Sequence, residues 1–195
     1  MARAVTAISA GIVLAVNLVT PASAGSFEDA VTAYRRADYE NALRLYRPLA
    51  EQGLAVAQFN VGLMYDIGQG VLQNFSEAAK WYRLAADQGR PDAQYQLGHL
   101  YHKQNDYAGA AKWFRLAADQ GRADAQSSLG AMYAEGEGGP QDLVQALKWF
   151  ILAAAQNHKE ATENRDRAVQ IMTAAQIAEA RKLAGEWKLP VQSRR

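Results

Sequence analysis

The stretch that decides the fold is AAKWYRLAADQG at residues 78–89, which returns as AAKWFRLAADQG at residues 110–121. The two copies differ at a single aromatic position. Related residues surround Ala42 and Ala146, so one alanine column runs through the chain with spacings of 36, 32 and 36 residues. Self-similarity at a period of this size is typical of stacked helical units. The repetition therefore favours a structural unit used several times over a chemical site used twice.

A second repeated block precedes the first in each unit. It reads AQFNVGLMY at 57–65, AQYQLGHLY at 93–101 and AQSSLGAMY at 125–133. Its apolar residues recur with the spacing of an amphipathic helix, so each unit is predicted to contain a helix A, a loop, a helix B and a short turn. Helix B is expected to end at residues that tolerate a left-handed backbone, namely Gly53, Gly89, Gly121 and Asn157.

Three further columns predict how the helices begin and pack. Short polar residues suited to capping helix B stand four places before the repeated alanine; they are Asp38, Asn74, Asp106 and Asp142. Glycine inside a helix costs about 1 kcal/mol relative to alanine, so the helix A glycines predict close packing under the alanine column of helix B; these are Gly62, Gly98 and Gly130. The tryptophans of helix B are assigned to the core; they are Trp81, Trp113 and Trp149.

Residues 1–24, MARAVTAISAGIVLAVNLVTPASA, are typical of a secretory signal peptide. Arg3 precedes an apolar stretch, and Ala22 and Ala24 occupy the small-residue positions of a cleavage site. The stretch is short for a membrane span, which needs roughly 20 residues, and an uncleaved anchor is the alternative. Cleavage predicts a mature chain that begins at Gly25 and resides in the periplasm or outside the cell, with no stable membrane insertion.

The rest of the chain divides into four predicted segments. Residues 25–53 form a degenerate N-terminal repeat, 54–157 the main repeat array, 158–190 the C-terminal capping helices and 191–195 a disordered tail. The pair Thr173 and Gln176 has the spacing of a capping box at the start of the last helix. The fold class is therefore all-α, a right-handed solenoid of stacked antiparallel helix pairs with about four repeats and a C-terminal capping helix.

Composition and motif spacing point away from catalysis. The chain has 21 Lys and Arg against 20 Asp and Glu, which gives no charge excess for nucleic acid, and it has no cysteine. His99 and His102 could share a helix face, but a metal site needs further ligands that the pattern does not supply. His158 is expected to be exposed. No serine stands in a recognised nucleophile motif, so neither an enzyme activity nor a metal or cofactor is predicted.

The repeated blocks resemble the Sel-one-like repeat, a branch of the tetratricopeptide class. The resemblance rests on A-x-x-x-L-G-x-x-Y, a glycine loop, A-x-x-W-[YF]-x-x-A-A and a final Q-G, and it covers residues 27–157. It implies an adaptor that holds a partner on the concave side of a superhelix, and secreted bacterial members are associated with envelope assembly, polysaccharide export and sensor-kinase regulation. Some cysteine-rich relatives are linked to β-lactams, but a chain without cysteine gives no ground for that activity.

In the tetratricopeptide pattern the groove is lined by helix A positions that packing does not use. Mapped onto this chain, these positions vary between units and predict a partner-binding groove that includes Phe59, Leu63, Asp66, Tyr95, His99, His102, Lys103 and Glu135, with Ser127 and Ala131 between them. The expected function is a non-catalytic scaffold or regulator of the bacterial cell envelope that binds a protein or peptide. A carbohydrate- or peptidoglycan-binding module is the alternative, and a hydrolase of the β-lactam-binding type is the least favoured one.

Overall fold

A computed structural model describes the backbone of residues 21–189 and the side chains of residues 26–189. This part of the chain is helical and has no strand; its helices are α1 (Pro21–Arg35), α2 (Tyr39–Glu51), α3 (Ala55–Ile67), α4 (Phe75–Asp87), α5 (Pro91–Lys103), α6 (Tyr107–Asp119), α7 (Ala123–Glu135), α8 (Leu143–Ala154), α9 (Lys159–Ile171) and α10 (Ala174–Glu186). The first 20 residues of the predicted signal peptide and the predicted tail at 191–195 lie outside the described residues. The all-α prediction is confirmed.

The helices pack as consecutive pairs, α1 with α2, α3 with α4, α5 with α6 and α7 with α8. Each B helix also packs against the A helix of the next unit, so the hairpins stack into a solenoid. The end of the array differs, because α9 and α10 both pack on α8. No helix among the described residues is long and apolar enough to cross a membrane.

The turns between units have the predicted left-handed backbone. The four residues that end the B helices all have positive φ angles, which are 91° at Gly53, 83° at Gly89, 87° at Gly121 and 64° at Asn157. Ala37 and Asn105 share this conformation, with φ angles of 60° and 59°, at the short connections between helix A and helix B. Residues in the left-handed conformation therefore reverse the chain at each of these short connections.

Three of the four predicted N-caps accept a hydrogen bond from the first turn of helix B. Asn74, Asp106 and Asp142 accept from Glu77, Gly109 and Gln145 respectively. The prediction is wrong for Asp38, whose side chain makes no capping bond. Its backbone angles, φ −83° and ψ 69°, nearly match those of the capping Asp106 at −82° and 74°, so the difference lies in the orientation of the side chain. At α10 the predicted capping box between Thr173 and Gln176 is formed.

Close packing at the helix A glycines takes place against aromatic rings. A Cβ atom built on Gly98 would lie 2.6 Å from a ring carbon of Phe114, and the corresponding distances are 2.7 Å from Gly62 to Tyr82 and 2.7 Å from Gly130 to Phe150. The prediction named the alanine column as the partner; the rings lie nearest in all three units, and from the alanine column the carbonyl oxygen of Ala146 lies 3.2 Å from the Cβ built on Gly130. The ring is the larger group, so it fills the space that the missing side chain leaves.

A ladder of glutamines joins successive hairpins, and the sequence analysis did not anticipate it. The buried glutamine of each A-Q block donates to a carbonyl of the preceding B helix, as Gln94 does to Ala86 at 3.2 Å. It also accepts from the glutamine at the end of its own unit, as Gln94 does from Gln120 at 2.7 Å. The same pattern holds in the neighbouring units for Gln58 with Gln88 and for Gln126 with Gln156.

The tryptophan column becomes more buried toward the C-terminus. Trp149 is fully buried and Trp113 is 4% exposed, whereas Trp81 is half-buried. The core assignment is thus correct for the last two and only partly correct for Trp81. The guanidinium of Arg83 lies 4.8 Å from the ring centroid of Trp113, so the aromatic column also holds cations from the preceding unit.

Candidate binding site on the A helices

A cavity of 260 Å³ opens between α5, α7 and the start of α9, and is called the α5–α7 cavity below. It brings together four of the residues predicted for the groove, namely Tyr95, His99, His102 and Glu135. Ser127 and Ala131 also line it. Residues that the mapping missed complete the wall: Asp124, Ser128, Glu137, His158 and Glu160. The variable positions of α5 and α7 therefore border a defined recess.

The remaining predicted groove residues lie elsewhere on the same helices. Phe59 is half-buried, with its ring centroid 5.7 Å from that of Tyr82 and the Arg90 guanidinium 5.3 Å away. Leu63 packs against the core of the first hairpins. Both side chains therefore contribute to packing between units as well as to the surface of the A helices.

Asp66 and Lys103 also have partners within the protein. The carboxylate of Asp66 accepts a hydrogen bond from the Tyr82 hydroxyl at 3.2 Å. Burial, and then this carboxylate, raise the pKa of Tyr82, so its phenol stays protonated at neutral pH. The ammonium group of Lys103 lies 5.4 Å from the ring centroid of Phe75. Neither residue lines the α5–α7 cavity.

Tyr95 and His99 form the aromatic side of the cavity. Their rings meet edge to face at 4.6 Å, and the His99 ring also lies 5.3 Å from Phe114. Burial is the main cause that lowers the pKa of His99 below its ordinary 6.5, and the nearby His102 and Lys103 lower it further. His99 is therefore a neutral, mainly aromatic surface at neutral pH.

The other two histidines of the chain pair with carboxylates in the same cavity. His102 lies 2.7 Å from Glu137, and Nε2 of His158 lies 3.3 Å from Asp124. The Nδ1 atom of His158 accepts the backbone N–H of Ala161 at 3.2 Å and so caps α9. This bond leaves the proton of the neutral ring on Nε2, facing Asp124.

The expectation that His158 is exposed is corrected, because its side chain is 20% exposed. The turn that follows α8 brings the residue back over α7, where its capping bond to Ala161 and its contact with Asp124 hold it. Within the part of the chain that the structure describes, no group of three or more His, Asp or Glu side chains is arranged to hold a metal ion.

A chain of alternating charges runs along the starts of the A helices. Arg90 and Arg122 both contact Asp92, Arg122 also contacts Asp124 at 2.9 Å, and Asp124 contacts His158. The arginines stack as well: Arg122 lies 4.8 Å from the ring centroid of Tyr95, as Arg90 does over Phe59 in the unit before. Each arginine thus ties its own unit to the aromatic residue of the preceding one.

Comparison with known families agrees with the helical repeats just described. A family model for the Sel1 repeat matches residues 33–54, 55–89, 91–121 and 123–158. The chain belongs to the Sel1 repeat family. The segments 55–89, 91–121 and 123–158 each span one helix pair, and 33–54 covers the end of α1 and all of α2; the predicted resemblance is confirmed. Sel1 repeat proteins generally mediate protein–protein interactions.

Several solved structures are similar to this chain. A Sel1 repeat protein from Oxalobacter formigenes is 28% identical with a TM-score of 0.70, over 84% of this chain and 72% of that one. The protective antigen c5321 of uropathogenic Escherichia coli, which displays an SLR fold, is also 28% identical, over 85% of this chain and 45% of that one, with a TM-score of 0.49. MamA shares the fold at 18% identity, with a TM-score of 0.53 over 87% of this chain and 97% of that one. A comparison with curated proteins gives no match.

Proposed function

We propose that this Sel1 repeat protein is a scaffold of the bacterial cell envelope that binds a segment of a protein or peptide partner along its A helices. One observation carries the proposal. The repeated alanine, glycine and ring positions are used for packing, whereas six of the positions that differ between units gather around the α5–α7 cavity: Tyr95, His99, His102, Ser127, Ala131 and Glu135. The residues on this surface differ from unit to unit, while the packing residues beneath them are the same in each unit. Such a surface is suited to recognising one particular partner.

The aromatic and polar composition of the cavity supports a protein or peptide ligand. Tyr95 and His99 present ring edges, and Asp124, Ser128 and Glu137 place hydrogen-bonding groups beside them. Binding sites in protein interfaces commonly combine an aromatic anchor with a polar rim. The tyrosine is held by its neighbours before any partner arrives, which lowers the entropic cost of binding.

The envelope location is part of the proposal and rests on the N-terminal sequence. Cleavage before Gly25 would remove the first turn of α1 and leave Phe27, which packs against Tyr46 with ring centroids 5.7 Å apart. The buried Ala30 and Ala33 would also remain. N-terminal sequencing of the protein from the periplasmic fraction should begin at Gly25, and recovery of the chain from Met1 in membranes would favour an anchor.

Site-specific cross-linking tests the binding surface. A photoreactive amino acid at Ser128, on the wall of the cavity, should give a discrete protein adduct in cells that express the full chain. The same group at the exposed Glu179 on α10 is the matched control and should not give this adduct. Equal adducts at both positions, or a glycan adduct at Ser128, would contradict the proposal; the glycan would indicate a cell-wall binder.

A further inference from the structure

The α5–α7 cavity lies where a repeated contact is missing. In two successive units an arginine before helix A covers an aromatic ring of the preceding A helix: Arg90 covers Phe59 and Arg122 covers Tyr95. The next pair in the same columns is His158 and Ser127, and both line the cavity. A serine replaces the ring and a shorter imidazole replaces the guanidinium, and the space that remains forms part of the cavity.

The charge of the lining selects for a cation. Four carboxylates line the cavity and neither lysine nor arginine does; the four are Asp124, Glu135, Glu137 and Glu160. Asp124 is paired with Arg122 and Glu137 contacts His102. Glu135 and Glu160 are exposed and form no ion pair among the residues that the structure describes. An anionic ligand would be repelled, and a cation would find two unpaired partners.

A serine hydroxyl is open to the cavity. Ser127 is 4% exposed as a whole residue and lines the cavity, and its Oγ is not one of the fully buried unpaired atoms. Because a hydroxyl oxygen can accept as well as donate, it can receive an N–H of a cationic ligand.

We propose that the α5–α7 cavity binds the guanidinium group of an arginine side chain in a partner peptide. The inference rests on the proposed function and names the chemistry of the partner at this site. A guanidinium has five N–H donors in one plane, so it can donate to separated carboxylates and to a hydroxyl at the same time. It also stacks on aromatic rings, as Arg90 and Arg122 do in this protein. The cavity volume of 260 Å³ is below the roughly 300–1,000 Å³ typical of drug-sized ligands, which fits one side chain.

An NMR titration of the full-length protein tests this directly. The probe is N-acetyl-arginine N-methylamide, and the matched controls are the isosteric but uncharged citrulline analogue and the lysine analogue. The arginine probe should shift the amide signals of Ser127 and Ser128 saturably. The citrulline probe should bind at least about tenfold more weakly, because charge-assisted hydrogen bonds to carboxylates are lost. The lysine probe should also bind more weakly, since its ammonium is a point charge.

Variants separate the cavity from nonspecific charge. The double variant E135Q/E160Q should weaken binding of the arginine probe about tenfold. The control E179Q/E186Q removes the same charge from exposed positions on α10 and should leave the affinity for the probe unchanged. Ser127→Ala should weaken binding with the fold retained. Equal binding of arginine and citrulline, equal binding of arginine and lysine, no saturable shift at Ser127 and Ser128, or equal losses in both double variants would overturn the proposal.

The outcome is distinguishable from that of the proposed function. If the Ser128 adduct forms equally well with E135Q/E160Q and the arginine probe does not bind, the scaffold function stands and the arginine site is wrong. If the probe binds as expected and no protein adduct forms at Ser128, the arginine site stands and the scaffold function is wrong.

Discussion

Gly98 determines how closely α5 and α6 approach each other. The ring of Phe114 occupies the place where a Cβ atom would stand, at 2.6 Å. Phe114 is 1% exposed and surrounded by other core residues, so its ring cannot swing away without disturbing them. The intrinsic helical cost of glycine is therefore offset by a contact that no larger residue permits.

Gly98→Ala should lower the free energy of unfolding by about 1–3 kcal/mol, because overpacking outweighs the gain in helix propensity. Gly185→Ala in α10 is the matched control, since nothing lies within 4 Å of its added Cβ. It should be neutral or stabilise by up to about 1 kcal/mol. Urea unfolding of the two variants checks this, and stabilisation in both would show that the ring contact is unimportant.

His99 should make stability depend on pH. Its pKa is lowered in the folded state, chiefly by burial, so the unfolded chain binds its proton more readily than the folded chain. Stability is then greatest above the ordinary pKa of 6.5 and falls as the pH drops through that value toward the lower folded pKa. The charged ring is the form that the folded protein disfavours.

Replacing His99 with Gln removes this titration. Between about pH 7.5 and about pH 5 the melting temperature of the wild-type protein should fall by more than that of the variant. All other ionisable groups are present in both proteins, so the comparison isolates the contribution of the His99 ring. Parallel melting curves across this range would show that burial of the imidazole does not contribute.

At the scale of the element, the buried glutamines connect one hairpin to the next. Gln94 is 4% exposed and links Ala86 of α4 to Gln120 at the end of α6. Such a residue adds a hydrogen bond to a carbonyl of the preceding hairpin and accepts one from an amide of its own hairpin. The ladder thus adds directional bonds to interfaces that are otherwise apolar.

Gln94→Ala should cost about 1–3 kcal/mol, because two hydrogen bonds are lost, of which the one to Ala86 is buried. Gln73→Ala removes an exposed bond to the carbonyl of Asp66 at 2.7 Å and should change stability by less than about 0.5 kcal/mol. Denaturant melts measure both. Equal effects would mean that the ladder forms without adding stability.

Helix pairs and their turns could be predicted because each signal occurs several times in the chain. The left-handed residue after α4 is seen again after α6, so a chance glycine is distinguished from a structural one. The glutamines also repeated, at Gln58, Gln94 and Gln126, and this repetition was the signal for the ladder. Two features occur only once in the array and therefore could not be predicted from repetition. They are the side-chain orientation of Asp38 and the packing of α10 on α8.

At the scale of the whole molecule, stacking decides which side chains meet. Tyr95, His99 and His102 could be placed on one helix face from their spacing, and the structure puts all three in the α5–α7 cavity. His158 could not be placed with them, because its contact with Asp124 depends on how α9 docks across α7 and α8. One part of the site therefore follows from spacing along α5, and the other part depends on how the helices of the array pack together.

In the proposed function the B helices support the stack and the A helices bind the partner. Hydrogen–deuterium exchange of the protein alone and with its cross-linked partner tests this division most directly. Slower exchange is expected in α5, α7 and the loop at 136–142, with α4 and α6 unchanged apart from global stabilisation. Protection confined to α4 and α6, with none in α5 and α7, would place the partner on the opposite face and contradict the account.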